Sequence, residues 1–394
     1  MAAAAIAAVT PPKVLHVVGV LDCWSVEAWL LRLLAHGRRR GEPLDWSFYG
    51  AFAQPGSRDG EARALGARVV RSPVPLGDKL AFVRALRAEI AAGGYDVLHC
   101  HHDLVSGVYL LAAAGLPVPA RIVHVHNLDA EVPTPNRLKQ AVLRASLRRV
   151  CLAAADRIVA NSDHALAAFL AGRRRDPARH RVHAIGVDPA PFAAACADRA
   201  ALRRALDLPD DAPILLFAGR ATPEKNPVFA VDVLAALRRR MPRAAGVFAG
   251  AGSLEDAVRA RAAALGQAAA VRMLGWRDDV AAVMAACDWF ILPHPHQPAE
   301  GFGVAVVEAQ LAGLRLLLSL GVSEAPILPG AAFRRLSLDD GAERWADAAV
   351  ALWNAPAPSR QDALAALRAS PMDLDHALAD LVALHAGAVA AGKP

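Results

Sequence analysis

Short runs of consecutive apolar residues alternate along this chain with longer stretches in which apolar residues recur every three or four positions. Residues 14–18 form the first run, and after a turn the periodicity of residues 26–34 reads as a helix, the strand-loop-helix opening of a doubly wound domain. The strand signal returns at residues 46–49, 68–71, 96–100, 121–125 and 157–161, with helical stretches between. Strands alternating with helices argue for a parallel sheet. From residue 186 to 213 the pattern dissolves into Pro- and Asp-rich irregular sequence, and a run at 214–218 starts it afresh, followed by 245–249, 271–274, 289–292 and 314–319. Residues 374–389 read as a closing helix. The pattern predicts two α/β domains, residues 1–195 and 196–370, then a segment 371–394, and a length of 394 residues suits two cores better than one.

Charge and cysteine usage narrow the partners. With 44 basic and 38 acidic residues the net charge is a modest +6, which favours phosphorylated small molecules or an anionic membrane surface. The basic runs carry no interleaved aromatics, so nucleic acid is not expected. Five cysteines (Cys23, Cys100, Cys151, Cys196, Cys287) form no Cys-x-x-Cys pair and mostly sit in apolar context, as reduced thiols of a cytosolic protein do. Residues 2–9 are apolar but lack the basic segment of a secretory signal, and the apolar run 311–322 is short and broken by Arg315. A cytoplasmic protein, soluble or peripheral on the inner face of the membrane, is expected.

Two constellations in the second domain carry chemistry. Glu300, followed by Gly301, Phe302 and Gly303, precedes Glu308 and Ala309 and lies between the run 289–292 and an Ala/Leu-rich helix. That is a strand's carboxyl end, where open α/β sheets bind ligands. The glycines allow close backbone approach, the helix start suits an anionic or sugar-phosphate group, and the two glutamates accept hydrogen bonds from hydroxyls. The plain alternative is an amphipathic helix with Glu308 in solvent. Upstream, Gly219-Arg220 and Glu224-Lys225-Asn226-Pro227 follow the first strand of that domain. The planar fork of Arg220 and the point charge of Lys225 would stabilise a group that gathers negative charge; otherwise both are solvated cations near a turn. Gly250-Ala-Gly252-Ser253 adds a glycine turn, and Asp278 and Asp279 read equally well as helix caps.

In the first domain, strand alternation places Ile122, His124 and His126 on one side, with His126 at the open end before Asn127. A ring nitrogen there could hydrogen-bond a polar ligand; the alternative is core histidines bonded to backbone. His99, His101, His102 and Asp103 crowd another strand end, in a spacing that matches no established zinc pattern.

Glu-Gly-Phe-Gly with Glu-Ala, together with Gly-Arg and Glu-Lys-Asn upstream, resembles the signature of retaining glycosyltransferases of family 4, and His-x-His-Asn resembles bacterial exopolysaccharide and capsule glycosyltransferases. The resemblance covers most of the chain. It implies the GT-B fold, two Rossmann-like doubly wound parallel-sheet domains facing a cleft, with the closing helix crossing back to the first domain. It also implies retaining transfer of a sugar from a nucleotide-diphosphate donor (UDP-sugar favoured, GDP-sugar open) to a hydroxyl of a glycan or lipid-linked acceptor, in polysaccharide or glycoconjugate biosynthesis. Arg220, Lys225 and Gly303 would meet the diphosphate, Glu308 the ribose, Glu300 the sugar hydroxyls, and Phe302 would supply backbone contact. His126 first and His124 second would sit at the catalytic site, and His99 and His101 would line the acceptor side with Trp24 and Ser25. No Asp-x-Asp motif of the metal-dependent glycosyltransferase class appears, so neither metal nor other cofactor is expected, and departure on the front face is favoured because no opposing carboxylate nucleophile is evident. One departure stands out: Trp24 and Ser25 occupy about the place where family members carry paired glycines. That loop motivates the reading of a catalytically impaired nucleotide-sugar-binding protein, and a GT-B nucleotide-sugar epimerase or hydrolase is a further alternative. Arg137, Arg144 and Arg148 share one helical face, either resting on anionic lipid or simply solvated, and residues 129–136 are expected to help choose the acceptor.

Overall fold

A computed structural model of the chain describes residues 10–22, 25–127, 137–195, 199–209, 211–296 and 300–392. Two compact units emerge, Met1–Gly186 with Leu374–Pro394, and Val187–Asp373. The first holds seven parallel strands, β1 (Lys13–Val18), β2 (Asp45–Gly50), β3 (Arg68–Arg71), β4 (Val97–Cys100), β5 (Ala120–Val125), β6 (Arg157–Ala160) and β7 (His180–Val182), in the order β3-β2-β1-β4-β5-β6-β7. The second holds six, β8 (Ile214–Ala218), β9 (Ala245–Ala249), β10 (Val271–Gly275), β11 (Trp289–Leu292), β12 (Arg315–Ser319) and β13 (Phe333–Leu336), in the order β10-β9-β8-β11-β12-β13. These are Rossmann-like doubly wound sheets, as the alternating pattern predicts.

Each sheet changes winding direction once, between β1 and β4 in the first and between β8 and β11 in the second. Loops leaving neighbouring strands diverge there, which opens a crevice at the carboxyl ends. The central strands are buried along their whole length, as in β4, β8 and β11, and this is why they read as unbroken apolar runs. β7 and β13 were not legible as strands. Both are short outer strands carrying His180-Arg181 and Arg334-Arg335, and a half-exposed edge has no need of an apolar run.

The boundary differs from expectation at residues 187–195. They fold with the second unit because the helix Ala190–Ala195 packs on the helix Val280–Ala285. The closing helix Leu374–Gly392 returns to the first unit, where it lies against β4, β5 and the helix Ser25–Arg40. By length and composition this helix could cross a membrane, which the sequence reading did not foresee. Its apolar face is instead spent on the core, with Leu378, Leu381, Leu384 and Ala388 buried.

Candidate active site

In the second unit the site is built at the β8/β11 switch point. Beyond β8 the chain makes a tight turn in which the Thr222 carbonyl accepts from the amides of Lys225 and Asn226, and Asn226 (φ 51°) hands over to the helix Pro227–Arg240. The turn holds Lys225 over the crevice. Beyond β11, Glu300 is pinned by its amide, which donates to the Gly321 carbonyl at 2.9 Å, and by bridge pairing with Val322. Lys225 Nζ and Glu300 Oε2 form a salt bridge, with about 18% and 17% of the side chains exposed. Burial opposes charging of Glu300, yet the Lys225 ammonium, aided by His294 and Arg220, holds the carboxyl below its ordinary value. Arg220, half-exposed, pairs with Glu224 Oε1 at 3.1 Å.

Glycine is required here at two positions. A Cβ on Gly250 would stand 1.9 Å from the Gly219 carbonyl oxygen, so the β8 and β9 loops pack backbone to backbone. Gly303 has φ 79° at the start of the helix Val304–Leu311. Phe302 is buried, which leaves only its backbone for a ligand, and Glu308 stands half-buried one turn into that helix. The structure thus brings Lys225, Glu300 and Gly303 into one neighbourhood, with Arg220 acting on the same carboxylate. His294 is a member that the motif reading missed. It is buried, its Nε2 lies 3.9 Å from Glu300 Oε2, and Ser319 Oγ donates to its carbonyl at 2.5 Å. The signal was present in His294-Pro295-His296, directly after β11.

In the first unit, the carboxyl ends of β1, β4 and β5 gather histidines. Asp103 (φ 43°) accepts from the amide of His126 at 2.7 Å and from Asn127, and Asn161 Nδ2 donates to the His126 carbonyl at 2.8 Å. The backbone of His126 is therefore clamped on both sides, and the residue as a whole is 6% exposed. His124 and His99 are corrected from catalytic and acceptor-side candidates to core residues. Both are 0% exposed, and their rings are bonded to each other, His124 Nδ1 to His99 Nε2 at 3.3 Å, rather than to backbone. His101 is likewise buried and faces His16 and His126. Trp24 lies outside the described residues, as do residues 129–136, and of Ser25 only its place at the start of the helix Ser25–Arg40 is described.

His16, His183, His385 and Trp29 complete this cluster, and the sequence reading named none of them. The Trp29 ring lies within 6.4 Å, centroid to centroid, of His101, His124, His126 and His183. Burial pushes three of the imidazoles far toward the neutral form, His126 and His385 to about 3 and His102 to about 4, with neighbouring histidines adding to the effect at His126 and His385. Trp29→Ala would remove the ring on which they pack, and is expected to cost about 3–5 kcal/mol in urea unfolding followed through the first unit's signal. On the helix Arg137–Ala154, Arg144 and Arg148 are half-buried, while Leu138 and Val142 are exposed, so the expected basic face is not the outward one.

Comparison with known proteins fits this geometry. The family model described as Glycosyltransferase Family 4 matches residues 11–191, and that described as Glycosyl transferases group 1 matches residues 198–348. A D-inositol 3-phosphate glycosyltransferase of Mycobacterium leprae is 31% identical over 317 residues, 75% of this chain and 72% of its own. The chain belongs to glycosyltransferase family 4. A second relative of this family 4 glycosyltransferase is EpsF of Bacillus subtilis, named as a glycosyltransferase, 28% identical over 89% of this chain and 90% of its own. The crystal structure of Anabaena HepE in complex with UDP superposes with a TM-score of 0.75 at 17% identity, over 95% of this chain and all of HepE. That likeness establishes the GT-B fold, and the family models establish glycosyltransferase chemistry of group 1.

Proposed function

We propose that this glycosyltransferase moves a sugar from a nucleoside diphosphate, UDP in the first instance, to a hydroxyl of a glycan or lipid-linked acceptor, with retention at the anomeric carbon. The observation that carries the proposal is the Lys225–Glu300 pair at the β8/β11 switch point, flanked by Arg220. Cation and carboxylate stand side by side, as a ligand with a diphosphate joined to a hydroxyl-rich sugar requires. Arg220 and Lys225 would take the diphosphate, Glu308 the ribose and Glu300 the sugar hydroxyls. Gly303 and the backbone of Phe302 would allow close approach. UDP is favoured because HepE has been crystallised with UDP and with UDP-glucose. Two fixed cations make a divalent ion unnecessary for neutralising the leaving group, so activity is expected to survive chelation. His126, held neutral, is a hydrogen-bonding group for the sugar or acceptor rather than a general base. Polysaccharide or glycoconjugate assembly is the setting proposed, with exposed Leu138 and Val142 as the contact to an anionic membrane.

A thermal-shift screen against UDP, GDP, ADP and their sugar conjugates tests the donor site. Ligand at a hundred times Kd is expected to add about 2.7 kcal/mol to the stability of the folded state. One base should act selectively, and Arg220→Ala and Glu308→Ala should abolish the shift. No response to any nucleotide would refute the donor assignment and favour a protein disabled by Trp24 and Ser25.

A further inference from the structure

The buried imidazoles of the first unit fall into two head-to-tail runs. In one, His16 Nδ1 meets His101 Nε2 at 3.0 Å and His101 Nδ1 meets His126 Nε2 at 3.1 Å. In the other, His124 Nδ1 meets His99 Nε2 at 3.3 Å and His99 Nδ1 meets His385 Nε2 at 3.0 Å. The strands bring them together: β1 and β4 pair with His16 beside His99, and alternation puts His99 with His101, and His124 with His126, on one face.

A neutral imidazole carries one N–H and one lone pair. Each N···N contact must therefore hold one proton, since two would clash and none would leave two buried lone pairs facing each other. Three rings with two contacts have one N–H left over, and it can sit only at an end, on His126 Nδ1 or on His16 Nε2. Among the described residues, neither of these buried nitrogens has another hydrogen-bond partner. Because every contact runs from Nδ1 to Nε2, the rings of a run share a tautomer: all three protonated on Nδ1, or all three on Nε2.

We propose that His16 and His101 are positioning residues that decide, through this shared tautomer, whether His126 Nδ1 offers an N–H or a lone pair. The consequence rests on the reading that His126 meets the sugar or acceptor. A hydroxyl can donate or accept, so a run protonated on Nδ1 presents His126 to it as a donor and a run protonated on Nε2 presents His126 as an acceptor, with the same net charge in both.

Two sets, His16 with His99 and His101, and His101 with His124 and His126, each offer three ring nitrogens within 4.8 Å of one another, a spacing that a metal ion could also use. The ring geometry favours the proton run. Centroids lie 5.2 Å apart for His16 and His101 and 5.4 Å for His101 and His126, longer than the nitrogen separations by nearly two ring radii. The rings meet end to end, along the line of an N–H···N bond, whereas two ligands of one ion converge at an angle. His124 and His126 are stacked at 4.3 Å with planes 22° apart, so their in-plane lone pairs do not point to a common centre.

The test is long-range 1H–15N spectroscopy of the full chain labelled with 15N-histidine, without ligand and near neutral pH. One tautomer common to His16, His101 and His126 is expected. Unlike tautomers, an imidazolium among them, or a stoichiometric divalent metal found by elemental analysis would overturn the proposal. In folded His16→Leu, the ring resonances of His126 should move although it lies two rings away, while those of His180, outside both runs, stay in place; an unmoved His126 would also refute the coupling. Should that variant not fold, the native spectrum decides alone. UDP added to the same sample separates the two readings: a shared tautomer with no UDP response leaves the run intact and removes the donor assignment.

Discussion

Acidification below pH 6.5 is expected to unfold the first unit steeply, well before the second. Unfolded histidine takes up a proton near its ordinary value of 6.5, whereas folded His102 resists until about 4 and His126 and His385 until about 3. In that window the unfolded chain binds more protons than the folded one, so stability falls as pH falls. Each such group removes about 1.4 kcal/mol per pH unit, and these three together about 4 kcal/mol. His16, His99, His101 and His124, also pushed well down by burial and by each other, steepen the loss. Against a whole-domain stability of about 5–15 kcal/mol, the first unit should unfold near pH 5. The second unit contains only His294 and His296 and should follow later, giving two transitions. Near-UV circular dichroism across a pH titration reads this directly. An intact first unit at pH 4.5 would mean that the imidazoles charge in the folded state and are far better solvated than their packing indicates.

Lys225→Ala is expected to weaken nucleotide binding about 10- to 100-fold, the worth of a charge-assisted hydrogen bond, and to cost about 1–3 kcal/mol of stability by leaving Glu300 enclosed without its cation. Glu300→Gln should cost less stability and lose transfer more than nucleotide binding, because an amide keeps the shape but no longer accepts at both ends. In the double variant Lys225→Ala/Glu300→Ala the stability losses should not add, with a coupling of about 0.5–3 kcal/mol. The pair also has a pH signature. Glu300 is held below its ordinary 4.5, so its contribution is complete above that value and is lost as pH falls through the lower folded value. Calorimetric UDP titration and urea unfolding of the four proteins measure both quantities. Additive stability losses with unchanged UDP affinity would show that the pair is a surface ornament of the fold.

The two sites differ in how far the sequence exposes them. Lys225 and Glu300 lie in segments that follow strands legible as apolar runs, and the rule that ligands sit at carboxyl ends of parallel strands did the rest. His294 could have been found the same way, since it lies two residues beyond the carboxyl end of β11. The histidine cluster could not. His124 and His126, and His99 with His101, are recognisable as same-face pairs, yet alternation does not say whether that face meets solvent, ligand or a helix. Here the helix Ser25–Arg40 brings Trp29 onto it and the helix Leu374–Gly392 brings His385, so His99 and His124 became fully enclosed core while His126 is buried but not completely.

Fold class, the two sheets, the family and the placing of Arg220, Lys225 and Glu300 beyond strand ends were all legible in the sequence, because apolar periodicity and closely spaced motifs are local and survive without knowledge of neighbours. The outer strands β7 and β13, the division at Gly186, the packing of the closing helix and the pairing of His16, His101 and His126 emerge only in the folded chain. Each of those depends on which distant segments strand register and helix packing set side by side, and a hydrogen bond between residues 16 and 101 exists only once β1 and β4 have paired.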